Sequence, residues 1–449
     1  MAAMIISRQG ASAHLGRLVG REAARGGRRA MSSMLTLEEE YPGTPSTSPS
    51  PLPAPVTESS TLPNGVRVVS RETGDKVACV GVVVDAGARD EAPREAGASL
   101  LLQHLAFKST AARSSLKLNR DLELASVWPS CVAGREQTAF VAECLPSSAD
   151  LALGAMAETV LLPNLHPWEV KDAKEKIASS ELKGLPMDGP ALLTDALHAA
   201  AFGHEGPLST PFLAPCGLSA EDLALFRAKR YAAPAMTVVG VGLSHSDLSG
   251  LAGEAFAGAA GSDALATRPA AAYTGGNART GAKTALTHVA VVLQAAGSGD
   301  PDAPAFVVLG SMLRARLMAG APGAGALSFT YGDTGLLGVA AAVEPGAAGA
   351  VAEAAAATLK GLAGGPASAA ELAAAVAAAN IDTLAALETP KGAAVALAAG
   401  GGAVGLEGVT AAQVKAAAGR LLKSAPAVAA VGGDLSAVPR AEAVAKFLK

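Results

Sequence analysis

Residues 100 to 104 read Leu-Leu-Leu-Gln-His, the frame of an inverted zinc motif with most of its chemistry replaced. In His-x-x-Glu-His the two histidines lie four residues apart on one helix face and reach a single metal, while the glutamate works on the metal-bound water. Here Leu100 holds the place of the first histidine and Gln103 that of the glutamate, so only His104 remains. An amide cannot accept the proton that a carboxylate base takes. A single histidine in an apolar helix is ordinarily a packing residue, so the meaning of this run depends on its surroundings.

The other side chains capable of chemistry are scattered. Cys79, Cys131, Cys144 and Cys216 form no Cys-x-x-Cys pair and have no histidine at zinc-finger spacing, which predicts small buried hydrophobes and no disulfide framework. No Gly-x-Ser-x-Gly elbow, Walker loop or dinucleotide fingerprint lies in a strand–turn–helix setting. Gly400-Gly401-Gly402 belongs to a general Ala/Gly bias. Asp121 and Glu123 read as the solvated face of a helix, His198 and His204 as packing or surface residues, and His166-Pro167 as a turn before Trp168. No ligand set for haem or an iron–sulfur cluster is visible.

At 449 residues the chain is long enough for two or more domains. Aromatics make up only 3%, so burial must come from Ala, Val and Leu, which suits helices packed closely on sheets. A formal net charge of −4 offers no basic face for nucleic acid. That sum is uneven. Residues 1–34 hold Arg8, Arg17, Arg21, Arg25, Arg28 and Arg29 against the lone acid Glu22, a charge of +5 that leaves −9 for the remainder. With Ser7, Ser12, Ser32 and Ser33 this is the composition of a mitochondrial presequence. Residues 35–62, with Glu38-Glu39-Glu40 and then a Pro/Ser/Thr-rich run, predict an extended arm. No charge-free apolar stretch reaches the length of a membrane span, so membrane association is expected only through partners.

Folded sequence is expected from about Gly65. Val66-Val69 and the continuously apolar Val77-Val84 predict strands, the second buried on both faces. Helices are predicted over 96–107, 147–162, 167–184 and 189–202, with a strand at Thr138-Cys144. Ser219 is placed to cap another helix, Met236-Gly242 predicts a buried strand, and a helix follows from about Asp247. Residues 258–283 are expected as a linker.

The pattern then repeats. Val80-Gly81-Val82-Val83-Val84 is similar to Val289-Ala290-Val291-Val292-Leu293, and Ala233-Pro234-Ala235-Met236 to Ala425-Pro426-Ala427-Val428. The helix before each of the latter also matches, Ser219-Ala220-Glu221-Asp222-Leu223 against Thr410-Ala411-Ala412-Gln413-Val414. Thr410 and Gln413 have capping-box spacing. Three matches in the same order predict a duplication into two α+β halves, 63–257 and 284–449.

A twofold α+β repeat with this motif near its start resembles the mitochondrial processing peptidase family, which includes the core proteins of respiratory complex III. The resemblance rests further on His104-Leu105-Ala106-Phe107-Lys108-Ser109-Thr110, Gly134-Arg135-Glu136-Gln137-Thr138-Ala139-Phe140, Gly203-His204-Glu205-Gly206-Pro207-Leu208 and Phe329-Thr330-Tyr331-Gly332-Asp333-Thr334-Gly335-Leu336. It covers roughly residues 60–449. It implies two sandwich halves, each a mostly antiparallel sheet packed with helices, as in LuxS-like metallohydrolases. It also implies a place on the matrix side of the mitochondrial inner membrane. The implied partner is a sister core subunit or a β-type peptidase subunit, with cytochrome b and cytochrome c1 as further neighbours in a respiratory complex.

In active relatives an acid about 77 residues after the second histidine completes the zinc shell, and that place holds Glu181; the supporting acid seven residues earlier falls at Lys174, next to Glu175. One histidine and one glutamate fall short of the three protein ligands of a catalytic zinc. The expectation is therefore a chain with no catalytic residue, no metal ligand and no cofactor. A presequence-binding α subunit of the peptidase is the alternative, and an active peptidase a third reading.

Overall fold

The strand Ala78–Val84 is buried at all seven positions, and two sheets are built around strands of this kind. The computed structural model describes residues 55–182, 189–203, 206–213, 217–261, 268–320, 323–366, 368–400 and 405–448, with the side chains of 178–182 excepted. The expected presequence, most of the arm, His204, Cys216, Gly401 and Gly402 lie outside the described residues, as does the side chain of Glu181.

The first sheet comprises β1 (Val56–Thr61), β2 (Arg67–Glu72), β3 (Ala78–Val84), β4 (Trp128–Ala133), β5 (Thr138–Cys144) and β6 (Met236–Val241), in the order β1-β2-β6-β3-β5-β4. The second comprises β7 (Gly276–Gly281), β8 (Thr287–Ala295), β9 (Ala324–Thr330), β10 (Gly335–Val343) and β11 (Ala427–Gly432), in the order β7-β11-β8-β10-β9. Without β1 the two orders are identical. In each sheet the edge pair, β2–β6 or β7–β11, is parallel and the other pairs are antiparallel.

The helices repeat as well. The first half carries α1 (Ala98–Leu105), α2 (Ser115–Leu124), α3 (Ala149–Leu161), α4 (Pro167–Leu182), α5 (Gly189–Phe202), α6 (Ala220–Arg230) and α7 (His245–Ala255). The second carries α8 (Ala303–Gly320), α9 (Ala348–Gly361), α10 (Ala369–Glu388), α11 (Pro390–Ala398), α12 (Ala411–Leu421) and α13 (Ala441–Leu448). The sequence matches fall on β3 with β8, β6 with β11 and α6 with α12. Both of those helices open on a capping box, Ser219 with Asp222 and Thr410 with Gln413, a local start signal that each copy retains.

Each sheet is covered on both faces, as near-continuous apolar strands require. Val80, Val82 and Val84 of β3 face a core with α3 and α7. The alternate residues Cys79 and Val83 pack on Ala393, Ala394, Leu397 and Ala398 of α11, which comes from the other half. The exchange is reciprocal. Ala290 and Val292 of β8 and Ala427, Ala429 and Val431 of β11 pack on Leu193, Leu197, Ala200 and Ala201 of α5, while Val289, Val291 and Leu293 face the second half's own core. Alanines on α5 and α11 let helix and sheet approach closely, so few aromatics are needed.

Two boundaries differ from the sequence expectation. The end of the expected arm forms β1, paired along its length with β2, and the expected linker contains β7, paired with β11. Both are short edge strands, VTESST and GNARTG, that bury almost nothing, so backbone hydrogen bonds define them and hydrophobic alternation does not. The alanine-rich α10 also has the length and composition of a membrane-crossing helix. It carries Glu371, Asp382 and Glu388, and ion pairs Arg316–Glu371 at 2.9 Å and Arg314–Asp382 at 2.6 Å tie it to α8.

The exchange predicts a nonlocal effect. Leu197→Ala, at a fully buried α5 position, should lower stability by about 2–5 kcal/mol. Hydrogen exchange should then rise in β8 and β11 of the other half before it rises in β3. Exchange increased only around α5 and β3 would contradict the interlock.

Candidate functional site

The helix that carries the motif remnant begins without a side-chain cap of its own. Its N-cap, Gly97, is left-handed at φ 89, a conformation that favours glycine. The carboxylate of Glu91 supplies the cap, accepting from the backbone N–H of Gly97 at 2.8 Å and of Ser99 at 2.7 Å. Glu91 is buried, and that burial pushes its pKa up to about 7; the two backbone donors pull it down and Glu95 adds to the rise.

From this start, Leu100, Leu101, Leu102 and Leu105 are buried against Val170, Ala173 and Ile177 of α4 and Leu223 and Phe226 of α6. Leu100 is thus a core residue at the place of the first histidine. Gln103 is occupied too, its Oε1 accepting from the backbone N–H of Ala133 in β4 at 2.8 Å. His104 is exposed on the outer face. Partial desolvation of its ring, followed by the charge of Lys176 on α4, holds its pKa below the ordinary histidine value. The α4 backbone runs beside α1 and includes position 181, while Glu175 is exposed and pairs with Lys171 at 3.9 Å.

These residues do not fit zinc. The first ligand place is hydrocarbon, the base place is an amide spent on a strand N–H, and a lysine charge faces the remaining imidazole. Among the described residues no three His, Cys, Asp or Glu side chains converge as a metal would need. The described cysteines are poor nucleophiles, since burial pushes Cys79 up to about 12 and Cys144 to about 11 and raises Cys131 as well.

The signature segments meet elsewhere, in an ionic knot between the halves. Arg89, almost fully buried, donates to Glu136 at 2.5 Å, to both oxygens of Asp333 at 2.8 and 2.6 Å, and to the carbonyl of Pro269 at 2.9 Å. Burial works against its charge, but the bonds to Asp333 and then Glu136 prevail and raise its pKa. Asp90 next to it takes Arg268 at 2.7 Å. Glu136 also accepts from the N–H of Gly332 at 3.0 Å. Gly87 lets these loops approach, because a Cβ there would lie 2.5 Å from the carbonyl oxygen of Arg135.

A neutral pair lies beside the knot. His198 of α5 is buried, and burial, then the charge of Arg135, holds its pKa well below the usual value. Its Nδ1–H donates to the Thr194 carbonyl at 2.6 Å, and its Nε2 accepts from the Tyr331 hydroxyl at 2.5 Å. Arg135 in turn pairs with Asp195 at 2.5 Å. Sequence reasoning singled out residues 134–137 and 329–335 but not Arg89, Asp90 or Arg268, whose partners are 47 to 244 positions away. No local pattern separates such buried charges from solvated ones.

Comparison with known proteins agrees with both halves. The pattern of the insulinase family (peptidase family M16) matches residues 67–215, and that of the peptidase M16 inactive domain matches residues 217–379. The chain is 30% identical over 342 residues to the probable mitochondrial-processing peptidase subunit alpha-1 of Arabidopsis thaliana, covering 70% of this chain and 67% of that protein. It is 28% identical over 339 residues to cytochrome b-c1 complex subunit 2 of Mus musculus, covering 71% and 74%. It is 30% identical over 275 residues to the probable mitochondrial-processing peptidase subunit beta of Arabidopsis thaliana, covering 58% and 51%. The matched length thus runs from about half to about three quarters of these relatives.

Glu91 gives a pH test. Its pKa rises from 4.5 unfolded to about 7 folded, so the folded state holds the extra proton between those values. That contribution to stability is complete below about pH 4.5 and is lost as pH rises through about 7. Glu91→Gln cannot titrate. Its melting temperature relative to the unmutated chain should therefore climb between pH 5 and pH 8; a difference that stays flat or falls would show that Glu91 is not the buried acid described.

Proposed function

Taking as premise that this chain belongs to peptidase family M16, we propose that it is a non-catalytic core subunit of mitochondrial respiratory complex III, of the core protein 2 type. In this reading it supports assembly and stability of the ubiquinol–cytochrome c reductase from the matrix side of the inner membrane. Its partners are a sister core subunit and, beyond it, the subunits carrying cytochrome b and cytochrome c1, through which its membrane association runs. The observation that carries the reading is the state of α1. Leu100 is built into the core and Gln103 is bound to Ala133, so the peptidase helix serves here as packing. The segments Glu143-Cys144-Leu145, Trp168-Glu169-Val170, Leu197-His198-Ala199-Ala200-Ala201 and Val239-Gly240-Val241-Gly242-Leu243-Ser244-His245 support core protein 2 in particular.

The second reading, a non-catalytic α subunit that binds presequences, draws on the comparable identity to peptidase α subunits. It calls for a mobile glycine-rich loop just before the first helix of the second half. That place holds Ala296-Gly297-Ser298-Gly299-Asp300-Pro301, which is pinned. Ser298 donates to the Tyr331 carbonyl at 2.8 Å and Gly299 to that of Gly332 at 3.3 Å. A Cβ on Gly297 would stand 2.6 Å from the Asp333 backbone. The other glycine-rich run, Gly320 to Gly325, follows α8, and residues 321 and 322 lie outside the described residues. This pinned turn favours the core subunit.

A native gel of detergent-solubilised organelles separates the readings. The chain should migrate with a complex that contains cytochrome b and cytochrome c1. Migration only as a soluble heterodimer that accelerates presequence cleavage would place it with the α subunits instead.

A further inference from the structure

The duplication leaves one element without a counterpart. In the first half the outer edge of β2 is covered by β1, antiparallel, with Ser60 opposite Val68 and Glu58 opposite Ser70. His245 at the start of α7 pins this strand, its ring bridging Ser70 Oγ at 2.8 Å and Ser60 Oγ at 2.9 Å. In the second half the equivalent edge is β7, and among the described residues nothing pairs with its outer side.

The register shows what that edge offers. Gly276 donates to the Pro426 carbonyl and Ala282 to that of Gly432, so even-numbered residues of β7 face β11. The odd-numbered ones, Asn277, Arg279 and Gly281, turn N–H and C=O outward. Val69 pairs with Val239, and Ala278 with Ala429. Aligning β6 with β11 through their Ala-Pro-Ala turns then superposes Val68 and Ser70, which β1 covers, on Arg279 and Gly281.

We propose that β7 receives a strand from another subunit of the assembly in which this chain works, running antiparallel to β7 as β1 runs to β2. The donor is a proline-free, extended, acid-bearing segment. Charge selects it. Arg279, Lys283 and Arg440 are exposed at this edge and outnumber the neighbouring exposed acids Asp434 and Glu442, and the guanidinium of Arg279 donates to the Val438 carbonyl at 2.7 Å. Two copies paired antiparallel about Gly281 would set Arg279 opposite Lys283, a like-charged cross-strand contact that is destabilising and argues against a homodimer. Main-chain hydrogen bonds would give such a contact its affinity, and the basic edge its preference. The idea rests on the chain being a subunit but not on which M16 assembly contains it.

Hydrogen exchange on the assembly purified from organelles, beside the recombinant chain alone, tests the proposal. The amides of Arg279 and Gly281 should exchange about tenfold or more slowly in the assembly. A zero-length carbodiimide crosslink should join Lys283 to an acid of a different polypeptide. Gly281→Pro removes only an outward N–H, which an edge strand tolerates. It should leave the melting temperature of the isolated chain unchanged while weakening its retention in the assembly several-fold. Equal exchange in both samples would overturn the proposal, as would a Lys283 link to an acid of this same sequence, whether Glu38–Glu40 or a second copy. The native gel decides separately which assembly is involved, so loss of the complex III reading leaves this test intact.

Discussion

The fold depends on a reciprocal exchange of helices. Neither sheet can cover both of its apolar faces with helices of its own half. The uncovered face of the first sheet is closed by α11 and that of the second by α5. Strands such as β3 and β8 are buried on both sides only because the other copy supplies a wall. This explains why duplication produced one interlocked unit and not two independent domains. It also accounts for a composition poor in aromatics, since Ala393, Ala394, Ala200 and Ala201 bring helix backbones close to the sheets.

The ionic knot is a second consequence. Once α5 lies on the second sheet, the β4–β5 hairpin and the β9–β10 turn come together, and Arg89, Glu136 and Asp333 close the seam. Buried charges of this kind add little net stability over well-packed apolar groups, yet losing one partner is costly. Their role is to fix one relative placement of the halves. In the same frame α1 has become structural: capped by Glu91, embedded through its leucines and tied to β4 by Gln103.

Much of this was legible in the sequence because the signals were local. Continuous apolar runs gave β3 and β6, alternation gave β5, and Ser219, Thr410 and Gln413 marked helix starts. The helix predicted over 189–202 has those bounds in the structure. What escaped had no local signature. β1 and β7 are polar edge strands, and α10 and α11 are alanine-rich with little periodicity, so their faces cannot be told apart. That α5 serves the opposite sheet depends on packing between residues far apart in the chain, as when Leu197 shares a buried cluster with Ala290. At the motif, residue types alone place Leu100 and Gln103 where the ligand and the base would stand. That Leu100 is core and Gln103 a strand anchor needed coordinates.

The central claim is that this chain keeps the peptidase frame without its metal chemistry. Calorimetric titration of zinc into the purified full-length chain tests it most directly. The account predicts no saturable site, and the same heat profile for the His104→Ala variant. Stoichiometric binding of one zinc, abolished by His104→Ala, would contradict it.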